Sequence, residues 1–262
     1  MQKNGRCHRD GWQFIVKKDE SKVLSLEGEC VLSKEVEVYN AYFGDCIVLK
    51  DKDDDSNLLV DFGIHCSSEI SSVYGTRKDL HTSIAEDIAK RYSSSNISLL
   101  ITHFHEDHVS GLIHMYKSGN NIYKNMFTKV YIANIWNNPF AVASNLLEEM
   151  IVEHELKKSG LPRTTTSLFD VLEFLSANVY RVYLIKRGDL FENDKYIALW
   201  PIVDDRKNYV SEIIQSFGLP KDFEGGLIAL SEIVCIFVTQ ELLGVNDSFE
   251  YINENISMTC YN

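Results

Sequence analysis

The chain has 262 residues, 45% of them apolar, which is enough for one large domain or two small ones with a sizeable core and excludes disorder and fibrous repeats. Its 38 acidic against 26 basic side chains leave a net charge of −12, which argues against a broad positive surface for nucleic acid; an anionic substrate would need a local positive centre. Six cysteines (Cys7, Cys30, Cys46, Cys66, Cys235, Cys260) lie far apart with no Cys-x-x-Cys pair, so neither a zinc knuckle nor a disulfide framework is expected, and a reducing cytoplasm fits best.

The stretch from Met1 to Trp12 lacks the apolar run of a signal peptide, so the sequence reads as a mature, cytoplasmic chain. The first third reads as short strands. Trp12 to Val16 and Val23 to Leu26 bracket the polar turn Lys17 to Glu20, the pattern of a hairpin. Val36 and Val38 alternate with Glu35 and Glu37 in the next strand. Cys46 to Leu49 and Leu58 to Val60 follow, separated by the acidic loop Asp51 to Asp55, and the whole predicts an antiparallel meander. From Leu80 the period changes: Ile84, Ile88 and Tyr92 recur every four residues, as an amphipathic helix requires. After a serine-rich break, Ile97 to Ile101 is a continuous apolar run, consistent with a strand buried on both faces, and it feeds directly into His103.

Beyond this point the spacing predicts a helix over Ser110 to Lys117, a strand at Lys129 to Ile132, helices over Phe140 to Lys158 and Ser167 to Ala177, and strands at Val179 to Ile185 and Tyr196 to Trp200. Leu227 to Val238 is the most lipid-like stretch, but it is far short of the about 20 apolar residues a spanning helix needs and contains Glu232. It reads as a core helix, and no membrane segment is expected. Ile256 to Tyr261 reads as a final strand. With no internal repeat and no low-complexity linker, residues 1–262 are expected to form a single α/β domain.

The segment from Ser98 to Leu112, SLLITHFHEDHVSGL, places His103, His105, Asp107 and His108 within six positions. If the backbone leaves the strand still extended, His103, His105 and Asp107 point to one side at two-residue spacing, while His108 swings round at the turn into the helix. Four such donors on so short a segment are ill suited to one tetrahedral ion, but can serve two neighbouring ions about 3.5 to 4 Å apart. Imidazole with carboxylate and no thiolate suits zinc first, with manganese or iron as alternatives. A single histidine here would read as an ordinary packed side chain; the spaced quartet after a buried strand reads as a metal site.

These residues resemble the metallo-β-lactamase fold superfamily, whose His-x-His-x-Asp-His motif matches His103, His105, Asp107 and His108 position by position. Gly44-Asp45 is similar to the turn between the first strands of many members, and Asp61-Phe62-Gly63 to their strand-terminal Asp-x-Gly. Arg187-Gly188-Asp189 followed by Leu199-Trp200-Pro201 resembles a hairpin of the subgroup related to the competence-protein nuclease domain. The resemblance implies a four-layer αβ/βα sandwich with two divalent ions at one edge and hydrolysis by a metal-bridging hydroxide that Asp107 orients. It assigns His103 with His105 to one ion, and Asp107 with His108 to the other. Asp61 is then expected to hydrogen-bond a ligand imidazole, and His65, beside the same turn, to border the pocket.

The pattern is incomplete, because the bridging aspartate and late histidine that family members supply are not visible. His154 lies in a charged stretch that reads as a solvated helix face, and His114 as a local packing residue. The chain is therefore expected to be the N-terminal part of a longer protein, or to be completed by a partner chain. The leading expectation is a metal-dependent phosphodiester hydrolase, a nuclease or nucleotide phosphodiesterase. A lactam, lactone or thioester hydrolase is the alternative within the same chemistry, and a catalytically silent interaction module the alternative outside it. Nucleotide or single-stranded nucleic acid suits the acidic surface better than duplex. The basic pairs Lys157-Lys158, Lys186-Arg187 and Arg206-Lys207 read as scattered solvation rather than a track.

Overall fold

In the computed structural model, which describes residues 13–15, 34–42, 44–65, 76–92, 96–123, 126–158, 166–177, 181–199 and 207–242, short apolar segments early in the chain pair as an antiparallel meander. Strands β1 (Gln13–Ile15), β2 (Lys34–Tyr39), β3 (Ile47–Asp51) and β4 (Ser56–Val60) are neighbours in that order. The acidic loop between β3 and β4 folds on its own carboxylates: Asp51 accepts from the Asp53 amide and Asp54 from the Ser56 amide. Helix α1 (Arg77–Tyr92) then carries the chain across the sheet, and β5 (Asn96–Ile101) pairs parallel with β4. The sheet is mixed and the protein is α/β.

Helix α1 begins earlier than its apolar period suggests, because Thr76 and Asp79 cap it reciprocally. The Asp79 amide donates to Thr76 Oγ1, and the Thr76 amide donates to Asp79 Oδ2. Its apolar face, with Ile84, Ala85, Ile88 and Ala89, is buried together with Ile97, Leu99 and Ile101 of β5. Helix α2 (Glu106–Lys117) packs beside α1 and buries Val109, Leu112 and Ile113.

In β2 it is a glutamate that turns inward: Glu37 is 3% exposed while Val36 and Val38 are half-buried. The reason is a ready set of partners: Lys50 of β3 pairs with the Glu37 carboxylate, Arg91 Nη2 lies 2.5 Å from it, and the Tyr92 hydroxyl donates to it at 2.7 Å. One expectation is corrected: α2 starts at Glu106 rather than Ser110. The His105 carbonyl accepts from the amides of His108 and Val109, so the extended backbone ends at His105, and Asp107 and His108 sit in the first helical turn. Glu106 and Asp107 at this end suit the helix dipole.

The chain divides into two compact units, with the boundary inside β6 (Lys129–Ala133). The first holds β1 to β5, α1 and α2. The second holds α3 (Pro139–Lys158), α4 (Leu168–Ala177), most of β7 (Arg181–Ile185), the hairpin β8 (Leu190–Phe191) with β9 (Tyr196–Ile197), α5 (Lys207–Ser216) and α6 (Lys221–Phe237). Within it, α3 packs against α5 and α6, and Tyr131 donates a 2.7 Å hydrogen bond to buried Glu192 beside the hairpin. The stretch expected as a core helix falls in α6, where Leu227, Val234 and Cys235 are buried but Leu230 and Ile233 are exposed. No helix among the described residues is long and apolar enough to cross a membrane. The expected strands at Val23 to Leu26 and Ile256 to Tyr261, and the Trp200-Pro201 pair, lie outside the described residues.

Candidate metal centre

The residues that could ligate a metal are assembled where three backbone segments of the first unit meet: the turn at Gly44-Asp45, the loop Asp61 to Ile64 after β4, and the start of α2. Backbone hydrogen bonds lace them together. The Asp45 amide donates to the Asp107 carbonyl, the Gly63 amide to the Asp45 carbonyl, and the Phe62 amide to the His108 carbonyl. This proximity explains the glycines. A Cβ at Gly63 would overlap the Asp107–His108 peptide, and one at Gly44 would overlap the Gly63 carbonyl. Asp61 itself takes the left-handed conformation, φ 55°, which turns the chain out of β4 while its amide bonds the Leu100 carbonyl.

Asp61 is 2% exposed, and both of its oxygens are used. Oδ1 accepts from the Thr102 amide at 2.8 Å; Oδ2 accepts from the Thr102 hydroxyl at 2.6 Å and lies 2.9 Å from Nδ1 of His108. A carboxylate at Nδ1 keeps a proton there and turns Nε2 outward, where Asp107 Oδ2 stands 3.5 Å away. His103 completes the group: its ring centroid is 3.6 Å from that of His108, and its Nδ1 lies 3.0 Å from the Thr102 hydroxyl. Donor atoms of His103, Asp107 and His108 all fall within 4.8 Å of one another.

That donor set fits a divalent cation. Two donors on a tetrahedral zinc are separated by roughly 3.3 Å, close to the Asp107–His108 spacing, and two imidazoles with one carboxylate are suitable zinc ligands. Electrostatics give the members different protonation states. Burial, with the neighbouring His108 and His105, pushes His103 down to about 4. For His108 burial acts in the same sense, but the Asp107 and Asp61 carboxylates outweigh it and push the ring up to about 9. Burial also works against ionisation of Asp107, yet the His108 ring beside it holds its carboxyl below the usual range.

The other expected residues are placed as follows. His105 is exposed, with its ring edge-on to His103 at 4.8 Å, and it stands outside the three-residue group. His65 is half-buried at the end of the Asp61 loop, and belongs to no such group. His114 lies on α2 with Nε2 3.0 Å from the Thr82 hydroxyl, and His154 is exposed on α3. Lys157, Lys158, Lys186 and Arg187 are exposed in the second unit, whereas Arg206 lies outside the described residues. Two contributors were given no role at the site from sequence. Asp45 Oδ2 lies 3.4 Å from His108 Nδ1 and forms a second group with Asp61 and His108, and Thr102 ties Asp61 to His103. Their only signal was position, Asp45 in the Gly-Asp turn and Thr102 immediately before the motif.

No family model, curated protein or solved structure matches this chain.

Proposed function

We propose that the protein is a divalent-metal-dependent hydrolase acting on a phosphodiester, built on the four-layer αβ/βα plan of the metallo-β-lactamase fold. The observation that supports this best is the convergence of His103, Asp107 and His108 donors at the start of α2, with Asp61 behind His108. A bound ion supplies an acidified water near neutral pH and a positive centre for the non-bridging phosphate oxygens. His103, Asp107 and His108 would hold that ion, and His105, whose ring lies edge-on to that of His103, would be a further donor. Zinc is the first choice, with manganese or iron as alternatives.

The protein's own groups prepare the site. Neutral His103 offers a lone pair at pH 7 without a proton to displace, and ionised Asp107 contributes the charge that accepts a hydrogen bond from an attacking water. Asp61 fixes the tautomer of His108 through Nδ1. The net charge of −12 favours a small nucleotide or single-stranded substrate over a duplex, with the metal supplying the local positive centre.

Elemental analysis of the purified protein tests the reading first, with at least one equivalent of zinc or manganese expected. Cleavage of bis(p-nitrophenyl) phosphate, a single-stranded oligonucleotide and a cyclic dinucleotide is then compared with cleavage of a chromogenic lactam. Phosphodiester cleavage abolished by a chelator and by the His105→Ala, Asp107→Ala double variant is expected. A metal-free protein, or cleavage retained in that variant, overturns the proposal, and turnover of the lactam alone reassigns the substrate class.

A further inference from the structure

Behind the metal centre lies a second group of polar side chains that takes no part in ligation. His81 of α1 is 5% exposed, and its Nε2 lies 3.2 Å from Ser110 Oγ. That hydroxyl also accepts from the Ile64 amide at 2.9 Å and reaches the Ile64 carbonyl at 3.2 Å. A serine hydroxyl has one proton and two lone pairs. With the proton on the Ile64 carbonyl and one lone pair on the Ile64 amide, the second lone pair takes a proton from His81, which is then the Nε2–H tautomer. The imidazole is held in place for this task. It meets Phe62 edge-on at 6.0 Å and stacks on His114 at 5.3 Å, and His114 is itself bonded to Thr82.

We infer that His81 is a positioning residue for the metal centre: by donating to Ser110 it locks the Ile64 end of the Asp61 to Ile64 loop onto α2, which keeps the Asp61 carboxylate on His108. The inference rests on the proposed metal-binding role of His108, but its first consequence appears without metal. The loop has only a few ways to move. Its Asp61 end is held by Leu100 and Thr102, and its middle by Phe62 bonds to His108 and Gly111. Ile64 is joined to α2 through the Ser110 hydroxyl, and a serine that lost the His81 proton would be free to turn away from the Ile64 carbonyl. Orientation of the hydroxyl, rather than bulk, is therefore what His81 provides. An aromatic ring without the donor fails at this, and a side-chain amide with the donor succeeds.

The test compares His81→Phe, which preserves the ring contacts with Phe62 and His114, with His81→Gln, which preserves an N–H donor. In metal-free protein, amide exchange at Ile64 is expected to be about tenfold faster in His81→Phe than in wild type, with the His108 ring ¹⁵N shifts displaced at fixed pH. His81→Gln is expected to match wild type in both. Zinc competition against a chromophoric chelator then gives at least about a tenfold weaker affinity for His81→Phe alone. Should His81→Phe not fold, Ser110→Ala, which removes the hydroxyl itself, is measured in its place and carries the same expectation. Unchanged Ile64 exchange and His108 shifts overturn the inference, as does a His81→Gln variant as impaired as His81→Phe, since packing and not donation would then be at work. Failure of wild type to bind zinc overturns the metal reading alone, while the metal-free exchange comparison still decides the role of His81.

Discussion

At the scale of residues, the centre depends on one imidazole whose two nitrogens face opposite partners. His108 has Asp61 and Asp45 at Nδ1 and Asp107 at Nε2. In metal-free protein the ring is charged up to about 9, above the unfolded value of about 6.5. The stabilisation this gives is fully present below pH 6.5 and is lost as pH rises through 9. A cation at Nε2 has to displace a proton, so zinc binding at pH 7 is expected to release at least about one proton per ion, and the His108 share of that release should fall away as pH rises through 9. Titration calorimetry in buffers of different ionisation enthalpy measures this directly; no release at pH 7 would mean that His108 is not a ligand. His103, held near 4, contributes no proton at either pH.

At the scale of elements, the site is a product of how closely three segments approach. Gly63→Ala would drive a methyl into the Asp107–His108 peptide, and neither backbone can retreat without breaking the Phe62–His108 and Asp45–Asp107 bonds. A loss of about 3 kcal/mol in chemical denaturation is expected, at the upper end for overpacking, with zinc affinity falling alongside. The meander beneath has its own polar anchor. Burial alone would raise the Glu37 carboxyl, but hydrogen bonds from Lys50, Tyr92 and Arg91 hold it below the usual range. Its contribution is present above pH 4.5 and is lost as pH falls through that lowered value. Glu37→Gln should therefore cost about 2 kcal/mol at pH 7, less than a fully buried pair because Lys50 and Arg91 keep some contact with water. Urea denaturation should show the difference shrinking as pH falls below 4.5 and through that lowered value.

At the scale of the molecule, the net charge of −12 opposes the approach of an anion. Raising ionic strength from about 0.02 to 0.15 M shortens the screening length to about 8 Å and weakens that repulsion. On the proposed phosphodiester reading, kcat/KM for a single-stranded oligonucleotide is expected to rise over this range. A fall for the oligonucleotide would instead reveal a local positive track.

Much of the local structure was legible in the sequence because it depends on local physics. The period of Ile84, Ile88 and Tyr92 indicated α1, the acidic turn Asp51 to Asp55 separated two strands, and the apolar run before His103 became β5. The clustering of His103, His105, Asp107 and His108 was fixed as soon as they occupied six positions. The sequence alone did not decide where the strand gives way to helix. That depended on the His105 carbonyl finding the amides of His108 and Val109, and it carried Asp107 into the helix beside His108 while leaving His105 exposed. Nor could alternation reveal that Glu37 faces inward, since its cations come from β3 and from the far end of α1. Asp45 and Asp61 reach the His108 ring from well before it in the chain, through contacts that sequence periodicity does not encode. Their convergence, and with it the chemistry of His108, was decided by tertiary packing of glycine-thin backbones against one helix end.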